Sequence, residues 1–149
     1  MSNSKPGNPQ GPDNQQDEDA IAFAQGLFEL ARNGGAGPLS VMLNAGVPVD
    51  IRTNTGDSLL MLACSNGHVD TARLLLENGA DPNLRNDQLQ TPLMVAARLN
   101  DVEIITPLLE AGAYTSLTDA NVQSALELAT SVGAEDAIDL LTQDRFSEE

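Results

Sequence analysis

The side chains in this sequence that are best suited to chemistry are one histidine and one cysteine. His68 could transfer protons near neutral pH, and Cys64 could act as a nucleophile or a metal ligand. No second group is placed to form an acid–base pair with His68, and no His or Lys beside Cys64 would favour its thiolate. One cysteine and one histidine also exclude a Cys/His zinc cluster and an internal disulfide. We therefore expect both side chains to be structural, with Cys64 as a small buried residue.

Two short motifs that could suggest a site also have structural explanations. The segment Asp81–Pro82–Asn83 offers oxygen ligands, but it lacks the alternating acidic residues and the later bidentate glutamate of a calcium loop. Thr91 followed by Pro92 is typical of a helix start. The sequence has no glycine-rich phosphate loop, no Ser–His–Asp set and no metal motif. It predicts no enzyme activity, no catalytic residue, no metal and no cofactor.

The charge balance narrows the classes of partner. The 149 residues include 22 acidic and 7 basic side chains, which gives a formal charge of −15. This excess argues against binding to DNA, RNA or an anionic membrane, because each requires a positive face. The apolar runs are far shorter than the roughly 20 residues that cross a bilayer, and the first residues lack the apolar region of a signal peptide. We expect a soluble, cytoplasmic monomer.

A spacing of 33 residues organises most of the sequence, as Gly46, Gly79 and Gly112 illustrate. Apolar residues keep the same register over four units: Leu27, Leu60, Leu93 and Leu126 align, as do Met42, Leu75, Leu108 and Leu141. Within a unit, apolar residues at positions i, i+3 and i+4 predict two short helices, and a turn follows them. Neither helix can bury its apolar stripe alone, so neighbouring units must stack.

The repeated motifs resemble those of ankyrin repeats. They are TPLMVAA at 91–97, NGHVD at 66–70, LLLENGADPN at 74–83 and LLEAGA at 108–113. The resemblance covers roughly Ala20 to Gln143. It implies an all-α solenoid of four helix–turn–helix units with β-hairpin loops, in which degenerate end repeats act as caps. It also implies that His68 hydrogen-bonds to the adjoining turn and helix start, and that the chain binds another protein without catalysis.

On this basis we divide the chain into a repeat domain and two tails. Residues 1–19 form a polar N-terminal tail that we expect to be disordered, because it can bury too little apolar surface. It could be a solubilising leader or carry a short binding motif. The ankyrin repeat domain spans 20–143, with repeats at about 20–52, 53–85, 86–118 and 119–143. Residues 144–149 form an acidic C-terminal tail.

Four departures from the repeat pattern predict local differences. The first unit has AIAFA in place of a hairpin turn, so we expect it to begin directly as a helix, capped by Asp17 or Asp19. Leu89 and Val122 occur where the second unit has the turn-former Gly56, which predicts less regular hairpin tips. Pro107 predicts a kink or a late start in the second helix of the third unit.

Basic residues gather on the surface that generally binds partners in the ankyrin family, namely the hairpins and the concave helix face. Arg52 and Arg85 align at the links that enter the hairpins, and Arg32 and Arg98 align at the ends of first helices. Such residues are also common at these links for no functional reason, and this alternative stays open here. The complete set of candidate partner-binding residues is Arg32, Arg52, Asn54, Thr55, Asp57, Ser65, Asn66, Arg85, Asp87, Gln88, Gln90, Arg98, Leu99, Asn121, Gln123 and Val132.

We therefore expect an adaptor or regulator that presents a rigid surface to another protein. A few central residues would dominate the affinity, and our candidates are Arg85, Arg98, Leu99 and Gln88. Two alternatives remain. The chain could be a self-assembling structural unit, in which Phe146 docks on a neighbouring copy. It could also be an acidic mimic of nucleic acid that blocks a DNA-binding protein.

Overall fold

A computed structural model describes the backbone of residues 11–143 and the side chains of residues 16–143. The eight helices of this part form four consecutive pairs: α1 (Gly11–Asn33) and α2 (Ala36–Asn44), α3 (Leu59–Ser65) and α4 (Val69–Glu77), α5 (Pro92–Arg98) and α6 (Val102–Glu110), and α7 (Ala125–Val132) and α8 (Glu135–Leu141). We call α1, α3, α5 and α7 the first helices and the others the second helices. None of these helices is both long and apolar enough to cross a membrane.

Helix α1 confirms that the first unit begins directly as a helix, but its start differs from our expectation. It begins at Gly11, so residues 11–19, which we expected to be disordered, are helical. Asp17 and Asp19 lie inside the helix and do not cap it. Once the second half of α1 is packed, each added residue gains a helical hydrogen bond, and acidic side chains near the N-terminus suit the helix dipole. Residues 1–10 and the expected tail at 144–149, with Phe146, lie outside the described residues.

Short turns that we call tips connect the helix pairs. The second tip comprises residues 52–58, the third 85–91 and the fourth 118–124. In place of the expected β-hairpins, the described residues form no strand, and isolated bridges join Arg52 to Ser58 and Thr118 to Ser124. The same backbone bond closes each tip: Thr53 N donates to Asp57 O, Asn86 N to Gln90 O, and Asp119 N to Gln123 O, at 2.9–3.0 Å.

The third and fourth tips are as regular as the second, so our expectation of irregular tips is wrong. Leu89 and Val122 have φ angles of 62° and 60°, in the same left-handed region as Gly56 at 85°. Their N–H groups close the turns, as that of Gly56 does. A left-handed conformation costs a residue with a Cβ roughly 1–2 kcal/mol. The hydrogen bonds of the tip therefore hold these two residues in a conformation that their own sterics disfavour.

The core is continuous along the stack of helix pairs. Substantial helix contacts occur within a pair or between neighbouring pairs, as in α3 with α5 and α4 with α6. Leu60 and Leu93 are buried, whereas Leu126, in the same register, is half-buried. Glu135, Asp136 and Asp139 on α8 are exposed to solvent. Burial thus decreases at the last pair, as expected for the end of a stack.

Pro107 does not delay the start of its helix. Helix α6 begins at Val102, and α4 begins at the corresponding residue, Val69. The helix continues through Pro107 to Glu110, although proline has no N–H to donate to the carbonyl of Glu103. The expected late start is therefore wrong. Packing of Ile104, Ile105 and Leu108 in the core offsets the missing hydrogen bond.

Cys64 is fully buried in the core, as we expected. Burial strongly raises the pKa of its thiol above the ordinary value of 9.0, and the negative charge of Asp101 contributes in the same direction. The thiol therefore stays protonated in the folded chain. It fills space in the core and is unavailable as a nucleophile.

Replacing Val122 with glycine tests the strain at the tips. Because Val122 is 73% exposed, the change loses little packing and removes the steric cost of positive φ. After allowance for the greater freedom of glycine in the unfolded chain, we expect Val122→Gly to raise the free energy of unfolding by about 0.5–1 kcal/mol in chemical denaturation. Asn121→Gly is the control, since Asn121 has no positive φ, and it should lower stability by about 0.5 kcal/mol. A loss of stability in Val122→Gly would contradict the account.

The Cys64 thiol predicts a specific dependence of stability on alkaline pH. Above about pH 9.0 the thiol ionises in the unfolded chain but stays protonated in the folded chain, so the stabilisation is present below this pH and is lost above it. Relative to Cys64→Ala, the free energy of unfolding should therefore fall by about 1.4 kcal/mol between pH 8 and pH 10. Chemical denaturation at several pH values gives the free energy of unfolding of both proteins. If the two pH profiles were parallel, the claim that the thiol stays protonated in the folded chain would be wrong.

Candidate functional site

Hydroxyl caps fix where the first helices begin behind the tips. Each accepts a hydrogen bond from the backbone N–H three residues later, at 3.1–3.3 Å, and they are Ser58, Thr91 and Ser124. Such a bond satisfies an N–H group that the helix itself leaves free. Thr91 thus starts α5 with Pro92 as the first helical residue, as the sequence predicted. The caps place tip and first helix in the same relation in these three units.

Backbone hydrogen bonds join neighbouring tips. Asp87 N donates to Thr55 O, and Ala120 N donates to Gln88 O, both at 3.0 Å. We call this series of bonds between tips the tip ladder. Because donor and acceptor recur at the same positions of the turn, the ladder holds the three tips side by side and limits their independent movement.

Arg52 and Arg85 take part in the contacts between tips. Arg52 Nη1 donates to Arg85 O at 3.4 Å, and Arg85 Nη2 donates to Thr118 O at 3.2 Å. The Nε atom of Arg85 is buried and has no hydrogen-bond partner in the part of the chain that the structure describes. The alignment of these two arginines in the sequence therefore has a structural reason. Arg85 presents only part of its guanidinium to a partner.

His68 connects the first two units. Its Nε2 lies 2.8 Å from Arg32 O, and since a carbonyl oxygen only accepts, Nε2 carries the hydrogen and donates. The imidazole packs on Gly34, where φ is 77° and a Cβ would come within 2.7 Å of Nδ1. His68 precedes α4 but forms no side-chain bond to the start of that helix. Its role is structural, as expected, but its bond reaches the end of α1 and not the helix start beside it.

The Asp81–Asn83 segment fixes a turn, as the sequence predicted. Asn83 N donates to Asp81 Oδ1 at 2.9 Å. The side chain of Asn83 extends to the following unit, where Nδ2 donates to Gly112 O at 3.2 Å and Oδ1 accepts from Tyr114 N at 2.9 Å. Among the described side chains, no group of three or more His, Cys, Asp or Glu residues could hold a metal ion.

A groove of about 410 Å³, which we call the central groove, lies between the second and third tips and helices α3 and α5. Seven of the candidate residues line it, together with three others that the sequence analysis did not select. The candidates are Thr55, Asp57, Ser65, Asp87, Gln88, Gln90 and Arg98, and the additional residues are Met61, Asn86 and Val95. The structure therefore brings the central part of the predicted set into one place.

Hydrogen bonds of Asn86 connect polar residues of the central groove. We call these residues the polar wall, and they are Thr55, Asp57, Asn86, Gln88 and Gln90. Asn86 Nδ2 donates to Asp57 Oδ1 at 3.0 Å and to Gln90 Oε1 at 2.9 Å. Its Oδ1 accepts from the backbone N–H groups of Gln88 and Gln90, at 2.9 and 3.0 Å. Thr55 Oγ1 donates to the other oxygen of Asp57 at 2.9 Å. These bonds hold the wall in one conformation before any partner arrives.

Arg98 differs from the other polar residues of the groove. It is half-buried at the end of α5, and its guanidinium forms no hydrogen bond and no ion pair with any described residue. Arg32, in contrast, lies 3.8 Å from Glu29, although this exposed pair adds little stability. Arg98 thus offers an uncommitted positive charge beside the polar wall.

A second groove, of about 690 Å³, lies between α1 and the second tip, and we call it the N-terminal groove. The candidate residues Arg32, Arg52 and Asn54 line it. Apolar side chains that we did not select, among them Ile21 and Phe28, form much of the rest. Their helical spacing and the missing hairpin of the first unit were visible in the sequence, but the sequence did not show that this leaves a groove beside the second tip.

Six candidate residues line neither groove: Asn66, Arg85, Leu99, Asn121, Gln123 and Val132. Asn66 Nδ2 donates to Leu62 O at 2.8 Å and so closes the end of α3. Leu99 and Val132 are 52% and 54% exposed at the ends of α5 and α7. Asn121 and Gln123 belong to the fourth tip. Most candidate residues of the second and third units therefore line a groove, whereas those of the fourth unit line neither.

Comparison with known proteins agrees with this architecture. A family model described as ankyrin repeats, in three copies, matches residues 27–119. The curated Pseudomonas aeruginosa protein PA3287, which is named as an ankyrin repeat protein, is 44% identical over 62 residues. That match covers 42% of this chain and 36% of the relative, so the chain spans little more than a third of the relative's length.

Ankyrin repeats are generally protein–protein interaction modules, and the family is typically non-catalytic. The family model covers more than half of the chain, and the recurring helix pairs, glycines and tips follow the same period. The chain therefore belongs to the ankyrin repeat family.

Proposed function

We propose that this chain is an adaptor or regulator that binds a partner protein through its tips and the adjoining face of its first helices. The central groove is the middle of this surface. The chain acts as a monomer in the cytoplasm, where its net charge of −15 keeps copies apart. The observation that carries the proposal is the convergence of seven candidate residues on one groove, among them the uncommitted Arg98.

Arg98 supplies the charge that a partner would recognise. A guanidinium presents several N–H donors in a plane, and it binds a carboxylate through two parallel hydrogen bonds. Because Arg98 is half-buried, a bound carboxylate would be partly shielded from water, which strengthens the pair. Asp57 and Asp87 line the same groove, but neither forms an ion pair with Arg98, so its guanidinium stays available to a partner.

The hydrogen bonds around Asn86 favour binding by lowering its entropic cost. A partner that meets a flexible surface must order it, at about 0.5–1.5 kcal/mol for each side chain immobilised. Here Asp57, Asn86 and Gln90 are already fixed by mutual bonds. The polar wall can therefore select a partner by its pattern of donors and acceptors without first reorganising.

Exposed apolar side chains add contact area next to the groove. Leu89 and Val122 occupy the third and fourth tips, and Leu99 and Val132 occupy the ends of α5 and α7. The corresponding positions of the second unit are Gly56 and Asn66. More than half of the area that a typical protein interface buries is apolar, and side chains of this kind supply such area. Leu99 remains a candidate for high affinity, whereas Arg85 becomes a weaker one because its guanidinium is used between tips.

Affinity capture with charge-reversed baits tests the proposal. We expect wild-type chain to enrich one or more proteins from extract of its native cells, and Arg98→Glu to retain at least tenfold less of them in quantitative mass spectrometry. Loss of a central charged contact of about 1.4 kcal/mol or more gives this factor.

Arg73→Glu is the matched control, because it makes the same charge change on an exposed residue of the second helix α4. Arg73→Glu should capture the same proteins as wild type, in the same amounts. If Arg98→Glu captured the same proteins in the same amounts, the central groove would not be the binding site.

A further inference from the structure

The tip ladder is open at the second tip. In the third and fourth tips, the second residue of the turn donates its backbone N–H to the tip before it: Asp87 N to Thr55 O, and Ala120 N to Gln88 O. The corresponding residue of the second tip is Asn54, 33 positions before Asp87. The first unit has helix α1 where its tip would be. Asn54 N therefore finds no ladder partner and makes no hydrogen bond to any described residue.

An apolar groove adjoins this unused donor. The N-terminal groove extends from Asn54 to the face of α1, and its apolar lining includes Ala24, Phe28 and Ile51. Ile21, 56% exposed, stands at its rim. In a complete stack a preceding tip would cover this position. No tip is present there. A partner that places an apolar side chain in the groove and a backbone carbonyl at Asn54 would therefore extend the interface between tips.

The charge of this groove favours an acidic neighbour. Arg52 is exposed, and its single hydrogen bond, to Arg85 O, is long at 3.4 Å. Its other N–H groups are free to bind a carboxylate. Arg32 lies on the same groove, in a loose pair with Glu29. An extended peptide suits this combination, because its carbonyls are not used internally as those of a helix are.

We propose that an extended segment of the partner protein adds to the open end of the tip ladder. A backbone carbonyl of the segment accepts from Asn54 N, an apolar side chain lies over Phe28, and a carboxylate binds Arg52. The inference rests on the proposed function, since it assigns a second part of the same partner surface. It differs in placing a backbone contact at the second tip, in the N-terminal groove and not in the central groove.

The decisive variant is Asn54→Pro, which removes the N–H alone. Asn54 is the second residue of the turn that Gly56 N closes on Thr53 O, a position where proline is favoured. No hydrogen bond within the described chain is lost, so the unfolding midpoint should be unchanged. Asn54→Ala is the control, because it removes the side chain and keeps the N–H. Asp87→Pro, which breaks a ladder bond, should by contrast lower the midpoint.

The binding probe is a phage-displayed library of random peptides selected on the full chain. We expect selected peptides that combine apolar and acidic residues, and that bind Asn54→Pro about five- to tenfold more weakly than wild type or Asn54→Ala. The amide of Asn54 should exchange its hydrogen faster than those of Asp87 and Ala120 in the free chain, and should become protected when peptide binds.

Several outcomes would overturn the inference. Peptides that lose affinity for Arg98→Glu but not for Asn54→Pro would leave the proposed function intact and remove this contact. A selection without binders would also remove it. Protection of the Asn54 amide in the free chain would show that the chain's own residues 1–10 fill the groove, and protection that rises with chain concentration would show that a second copy does.

Discussion

Each helix pair of this chain has an apolar face that it cannot bury alone, and the stacking of neighbouring pairs meets this constraint. Leu60, Leu75, Leu93 and Leu108 are almost completely buried because a pair lies on either side of them. At the last pair, Leu126 and Leu141 are half-buried. A core of this kind extends along the stack, and the surface that the stack presents is the extended one that such proteins use for binding. The tips and the grooves between them recur because the helix pairs repeat every 33 residues.

The stack also supports conformations that isolated segments would not adopt. Leu89 and Val122 keep left-handed turns because hydrogen bonds within each tip hold them. Asn100, with φ of 57°, replaces the glycine that other units have at this position, and its Oδ1 accepts from Ala137 N in the last pair at 2.9 Å. Backbone strain and polar contacts between units are thus coupled. A rigid surface built in this way requires little ordering when it binds a partner.

The sequence predicted most of the fold, because spacing and caps act locally. The 33-residue register is read directly from the aligned glycines and leucines, and the cap at Thr91 and the burial of Cys64 follow from residues a few positions apart. The errors concern interactions that depend on the stack. Packing of α1 extends it into residues expected to be disordered, and hydrogen bonds within the tips hold Leu89 and Val122 in regular turns. The grooves were predictable only in part, because the missing first tip becomes significant only when its neighbour is placed beside it.

The central claim is that the partner covers the tips and the first-helix face while the second helices stay free. Hydrogen exchange measured on the chain alone and in complex with the captured partner tests this most directly. The account predicts that amides of the second and third tips exchange at least tenfold more slowly in the complex, since bound backbone is shielded from water. Exchange in α4 and α6 should be unchanged. Slowing confined to α4 and α6, with the tips unaffected, would contradict the account.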